Sequence, residues 1–151
     1  LRDEMEQIDY LFVAVSTCGT LAGISQKIKE YFPNCRIIAV DIVGSQIFEQ
    51  STRKKHVSGI GAGILPSNLL SAKYDDYMII EEVDAISECN KLLSKGIIVG
   101  ASSGAVAYAI QTYTGYLNDL EHKKIVAIFP DRGERYLDTI YDKEWVNKIQ
   151  Q

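Results

Sequence analysis

One stretch of this chain leaves few folds open. Tyr10-Leu11-Phe12-Val13-Ala14-Val15 is apolar throughout and reads as a buried strand. Ser16-Thr17-Cys18-Gly19-Thr20-Leu21-Ala22-Gly23 follows it, and then apolar residues recur at helical spacing: Leu21, Ile24, Ile28, Tyr31 and Phe32. A strand, a short polar turn and a helix make an anion cradle. The first N–H groups of a helix have no partner within it, and the helix dipole places partial positive charge there. Two threonine hydroxyls and Gly19 add donors and permit close approach, so a phosphate could be held without Lys or Arg. The plainer alternative is that Gly and Thr only turn the chain and cap the helix.

The same alternation continues along the chain. Arg36 to Asp41 reads as a second buried strand, and Tyr77 to Ile80 as a third. Between them runs a loop from Gly44 to about Asn68, containing Gly59-Ile60-Gly61-Ala62-Gly63-Ile64-Leu65-Pro66. Asp84 to Lys95 reads as a helix, with Asp84 as its N-cap and Gly96 as its stop. Ile97-Ile98-Val99 is a short strand or turn. Ser102-Ser103-Gly104 opens a helix running to about Leu120, and Lys124 to Phe129 is the last strand. Uniformly apolar strands separated by helices predict an α/β fold, a parallel sheet with helices on both faces.

Composition narrows the classes. With 151 residues, 46% hydrophobic and 24% charged, the chain is one domain's worth of globular protein. A net charge of −4 argues against a nucleic-acid partner. No apolar run is long enough to span a bilayer, and no signal peptide is read. Three widely spaced cysteines, Cys18, Cys35 and Cys89, suit a reducing cytoplasm rather than a disulfide or zinc framework, and no metal site is expected. The chain begins with Leu1, which suggests a fragment or a processed product.

Three chemistries compete for these motifs. A dinucleotide site would use Asp41 on the ribose, but Ser16-x-Cys18-x-x-Leu21 replaces the required glycines, so Asp41 reads better as a solvated strand end. A serine hydrolase would use Gly100-Ala101-Ser102-Ser103-Gly104 as a nucleophile elbow. Only His122 follows, and Asp119 is too close to it in sequence to complete a triad. His56 and His122 therefore read as surface residues, and Cys18 as a turn residue rather than a nucleophile. A pyridoxal phosphate site needs a phosphate cradle and a partner for the ring nitrogen. The cradle is Ser16 to Thr20. The Ser102 hydroxyl, at a later helix start on the same sheet edge, could meet the ring nitrogen. A neutral hydroxyl there would make the cofactor a moderate electron sink, suited to β-elimination and addition.

Four stretches carry a family resemblance. They are Ser16 to Thr20, Gly59 to Pro66, Gly100 to Ala105 and Ile128 to Leu137. In this order they resemble the cysteine synthase family, the fold-type II pyridoxal phosphate enzymes with a Rossmann-like three-layer domain. The resemblance implies pyridoxal 5'-phosphate as cofactor, with Ser16, Thr17, Cys18, Gly19 and Thr20 around its phosphate and Ser102 facing its ring nitrogen. It implies a substrate side formed by Ser16, Gly59, Ile60 and Gly61, small amino-acid substrates and a homodimer.

Ser16 and Cys18 stand where cysteine synthases usually have Gly. Ser16, with Gly44 to Phe48 and Phe129 to Gly133, looks more like the siderophore-pathway branch, whose members join O-phosphoserine to glutamate toward 2,3-diaminopropionate. The implied reaction is β-substitution on O-phosphoserine or O-acetylserine through an aminoacrylate, with glutamate's amine as nucleophile. The alternative nucleophile is sulfide. The family's cofactor-bearing lysine lies in an N-terminal half that this chain lacks, and neither Lys54 nor Lys55 has its sequence context. Residues 1–151 are thus expected to be the C-terminal part of the large cofactor-binding domain, inactive alone. A non-catalytic binding module is the rival from another class.

Overall fold

The computed structural model describes residues 4–49, 53–117 and 120–150. Four strands, β1 (Tyr10–Ala14), β2 (Arg36–Ile42), β3 (Asp76–Ile80) and β4 (Ile125–Ala127), form one parallel sheet in the order β3-β2-β1-β4. The register pairs Tyr10 with both Arg36 and Ile125, and Asp41 with Ile79. Four helices accompany them: α1 (Gly19–Tyr31), α2 (Glu82–Ser94), α3 (Ala101–Thr114) and α4 (Lys143–Ile149).

The alternation of side chains along the strands builds two cores. Phe12, Ile38, Val40 and Ile42 face one way and pack with Ala85, Ile86 and Cys89 of α2 and Ala105, Val106 and Ala109 of α3. Leu11, Val13, Ile37 and Ala39 face the other way and pack with Leu21 and Ile28 of α1. Helices on both faces explain why the strands are apolar throughout. Gly104 brings α3 close to α2, since a Cβ there would overlap Ala85 O and Cys89 Sγ.

Several boundaries differ from the sequence reading. Asp84 is the third residue of α2 rather than its N-cap; Glu81 precedes the helix, and Glu82 and Asp84 both lie in its first turn. Gly96, at φ +81°, does end α2. α3 stops at Thr114, six residues before the expected Leu120, because the chain turns at Gly115 and leaves Tyr116 exposed. Val99 is not in a strand but forms a single antiparallel bridge to Arg132. Tyr31, assigned to the apolar stripe of α1, is 42% exposed. No described helix is long and apolar enough to cross a membrane.

Sheet order fixes where a ligand can sit. From β1 the chain moves to β2 and β3 on one side, and β4 joins on the other. The connections therefore diverge between β1 and β4. At such a switch point the loops beyond the strands' C-terminal ends part and leave a crevice.

Candidate functional site: a cradle between β1 and β4

A crevice of about 130 Å³ lies at that switch point. Val13 and Ala14 of β1 and Ile128 and Pro130 beyond β4 form its walls. Ser16, Thr17, Cys18, Thr20 and Leu21 line it from the turn into α1, and Gly59 from the long loop.

The turn leaves backbone donors unused at the crevice. Cys18 precedes α1 in the left-handed region at φ 58°, which swings the helix start toward the crevice. Ala22 N donates to Cys18 O at 2.9 Å, the first bond of the helix. The N–H groups of Gly19, Thr20 and Leu21 have no hydrogen-bond partner among the described residues. No acidic residue occupies the first turn of α1, whereas α2 carries Glu82 and Asp84 in its own. Leu21, fully buried, anchors the turn from below, a burial that contributes about 1.5–3 kcal/mol. Burial, and next the Asp41 carboxyl, push the Cys18 thiol up to about 11, so it stays protonated and serves as packing.

The glycine loop is fastened to this turn at several points. Gly61 N donates to Val15 O at 2.7 Å, and the Ser16 hydroxyl donates to Gly61 O at 3.1 Å. The buried Ser45 hydroxyl accepts from Ala62 N at 3.1 Å. Lys55 Nζ donates to Ile60 O at 2.5 Å and Gly61 O at 3.1 Å. Asn68 Nδ2 donates to Thr17 O at 3.0 Å and braces the cradle itself. Among the substrate-side residues, Ser16 and Gly59 line the crevice, whereas Gly61 does not and touches the cradle only through its hydrogen bonds to Val15 and Ser16. Ile60 turns its side chain wholly into the core.

Lys55 and Asn68 were not assigned to the site from sequence. Asn68 lies 51 residues beyond the Thr17 carbonyl it grips, and nothing local signals the contact. For Lys55 the one available signal was its nearness to the glycine run.

Ser102 sits in the first turn of α3, buried, with its hydroxyl making no hydrogen bond among the described residues. α3 also begins without an acidic residue of its own. Ser102 is at the same sheet edge as the cradle but does not line the 130 Å³ crevice.

The competing chemistries find no support. Asp41 is not a solvated strand end. Its side chain is fully buried on the α1 side of the sheet, with neither oxygen hydrogen-bonded, so it cannot reach a ribose. Burial pushes its carboxyl up, against weaker pulls from the Ile42 and Phe48 N–H groups, the Ser45 hydroxyl and Lys55. His122 stands just before β4, at the opposite sheet edge from Ser102, and Asp119 lies outside the described residues. His56 is exposed, as expected, and is tied to α2: its Nδ1 is 2.9 Å from Glu82 Oε2, and its backbone N–H donates to Glu82 Oε1 at 2.6 Å. Among the described residues no His/Cys/Asp/Glu group could hold a metal.

A parallel sheet with an acid-free helix N-terminus at its switch point is the geometry of an α/β domain that can take an anion at the helix start. The chain belongs to the pyridoxal-phosphate dependent enzyme family, whose profile matches residues 1–131. The family's cofactor is pyridoxal 5'-phosphate, and three unpartnered N–H groups beside Thr20 fit its phosphate. The chain is 40% identical over 144 residues to an N-(2-amino-2-carboxyethyl)-L-glutamate synthase of Cupriavidus metallidurans, covering 93% of this chain and 42% of that protein. A protein of the same name from Ralstonia nicotianae is 40% identical over 142 residues, covering 93% and 41%. The solved O-acetylserine dependent cystathionine beta-synthase of Helicobacter pylori superposes with a TM-score of 0.84 at 29% identity, over 93% of this chain and 46% of that one. The chain thus spans about two fifths of the curated relatives it matches.

Proposed function

We propose that this chain is the C-terminal part of the large cofactor-binding domain of a β-substituting enzyme. Its substrate is an O-activated L-serine, O-phosphoserine or O-acetylserine, and its nucleophile is the amine of glutamate. In the overall change the bond from Cβ to the leaving oxygen breaks and a bond from Cβ to nitrogen forms, with phosphate or acetate released. Pyridoxal phosphate, when bound, supplies the electron sink for this replacement. The lysine that carries it is assigned to the part of the enzyme outside this chain.

The residues of this chain bind and orient. Gly19, Thr20 and Leu21 hold the phosphate through their N–H groups, and the Thr17 and Thr20 hydroxyls supplement them. The Ser102 hydroxyl is offered to the ring nitrogen as a neutral partner. Ser16 pins the Gly59–Gly63 loop along the substrate side. The observation that carries the reading is the set of unpartnered N–H groups at an acid-free helix start, in the crevice that Gly59 also lines. The names of the 40%-identical relatives support glutamate as nucleophile.

The test is turnover by the complete enzyme. O-phosphoserine and O-acetylserine are each supplied with glutamate or with sulfide, and the products are resolved by mass. An adduct with a new Cβ–N bond to glutamate is expected. Cysteine from sulfide alone would replace this reading with the sulfide alternative. Bound cofactor without turnover of any pair would favour the non-catalytic module. Sedimentation of the same sample tests the homodimer.

A further inference from the structure

The N-terminus of α3 receives a carboxylate from a distant part of the chain. Gly100 precedes the helix with no side-chain cap, and the N–H groups of Ala101 and Ser102 have no partner among the described residues. The Asp131 carboxyl lies against this helix start without hydrogen-bonding to it. A Cβ added at Gly100 would overlap Asp131 Oδ1 and stand 2.8 Å from Oδ2, so the carboxyl lies directly on the helix start. Oδ2 accepts from the Tyr136 hydroxyl at 2.6 Å, and Oδ1 is buried without a hydrogen bond. The hydrogen bond to Asp131, and next burial, push the Tyr136 phenol up, so it remains a donor.

This carboxylate is held in place from both sides. Arg132 bridges to Val99, and Gly133 N donates to Ile98 O at 3.2 Å. Cys89 Sγ donates to Gly100 O at 3.5 Å from α2. Pro130, the residue before Asp131, lines the cradle crevice. One short loop therefore touches both the crevice and the helix turn that carries Ser102.

We propose that Asp131 is a positioning residue for Ser102: clamped by Tyr136, its carboxylate sits on the positive end of α3 and fixes the turn from which the Ser102 hydroxyl projects. This rests on the reading that Ser102 faces the ring nitrogen. A carboxylate at a helix start opposes fraying of the first turn by charge–dipole attraction. Gly100 is required because any side chain there would evict the carboxylate. Displacing a positioned group by about 1 Å costs on the order of a hundredfold in rate.

The experiment is a double-mutant cycle in the complete holoenzyme. Asp131→Asn, Tyr136→Phe and Gly100→Ala are each made alone and with Ser102→Ala. The readouts are kcat, KM and the absorption band of the bound cofactor. Gly100→Ala moves the carboxylate without altering its chemistry, and Tyr136→Phe is the mildest change should another variant fold poorly. Each single variant is expected to lower kcat roughly ten- to a hundredfold, with KM little changed. Each should also shift the band in the direction Ser102→Ala shifts it. On top of Ser102→Ala, none should lower kcat further by more than about twofold, since coupled residues are not additive. Independent multiplication of the effects, or an unmoved band in Asp131→Asn beside a shifted one in Ser102→Ala, would overturn the proposal. If Ser102→Ala itself moves neither kcat nor band, the ring-nitrogen reading of Ser102 has failed, and the proposal goes with it.

Discussion

Gly61 joins the glycine loop to the cradle, and Gly61→Ala should cost more than its size suggests. The residue sits at φ +71°, where an L side chain is strained by about 1–2 kcal/mol. A Cβ would stand 2.9 Å from Ile42 Cγ2, 3.0 Å from Ser45 Cβ and 3.2 Å from Lys55 Nζ. The lysine can swing away, losing its bonds to Ile60 O and Gly61 O. Ile42 and Ser45 are buried and cannot move freely, and overpacking of this kind costs about 1–3 kcal/mol. Together these make about 2–5 kcal/mol, a large part of an ordinary domain's stability. Gly59 is the control. It has φ +82° but nothing within 4 Å of its Cβ, so Gly59→Ala should cost only the backbone strain. Urea unfolding of the two variants, followed by the fluorescence of Trp145, the single tryptophan, gives the difference. If Gly61→Ala is within about 0.5 kcal/mol of Gly59→Ala, the loop is not packed against Ile42 and Ser45 as described.

Two more perturbations probe the site and its support. Ser16→Gly removes the hydroxyl that donates to Gly61 O, a neutral bond worth about 0.5–1.5 kcal/mol. In the complete enzyme it should raise kcat/KM for sulfide relative to glutamate, and an unmoved ratio would leave Ser16 a purely structural residue. Burial pushes the Asp75 carboxyl up, but Lys29 at 2.7 Å, the Ile37 N–H and Arg36 outweigh it and hold it below the usual carboxylate value of 3.8. Its stabilisation is therefore complete above that value and lost as pH falls through the lower folded one. Asp75→Asn should lower stability at pH 7 and flatten the acid limb of the stability curve; an unchanged limb would assign acid unfolding to other carboxyls.

The local features of this molecule were legible in the sequence and the long-range ones were not. The first strand and helix follow from an apolar run, a polar turn and helical spacing within a few residues of one another, and the structure places them within a residue or two of the reading. Gly96 stops α2 for the same local reason. The end of α3 was misread because Tyr116 and Leu120 continue a helical spacing, although the chain has already turned at Gly115 and both are exposed. Asp41 was misread because a carboxylate at a strand end is ordinarily solvated, and only the turn carrying Ser45 and Phe48, with Lys55 nearby, encloses it. Asn68 on Thr17 and Asp131 on Gly100 are contacts between segments whose sequences carry no mark of one another.

The central claim is that the start of α1 holds the phosphate of the cofactor. The direct measurement is the affinity of the complete enzyme for pyridoxal phosphate and for pyridoxal, in wild type and in Thr20→Ala. A hydrogen bond to a charged group is worth about 1.5–3 kcal/mol, which is roughly ten- to a hundredfold in affinity. Pyridoxal phosphate should bind weaker by that factor in the variant, and pyridoxal, which has no phosphate for Thr20 to meet, should bind as before. Equal losses for the two ligands, or no loss for either, would place the phosphate somewhere other than the turn from Ser16 to Thr20.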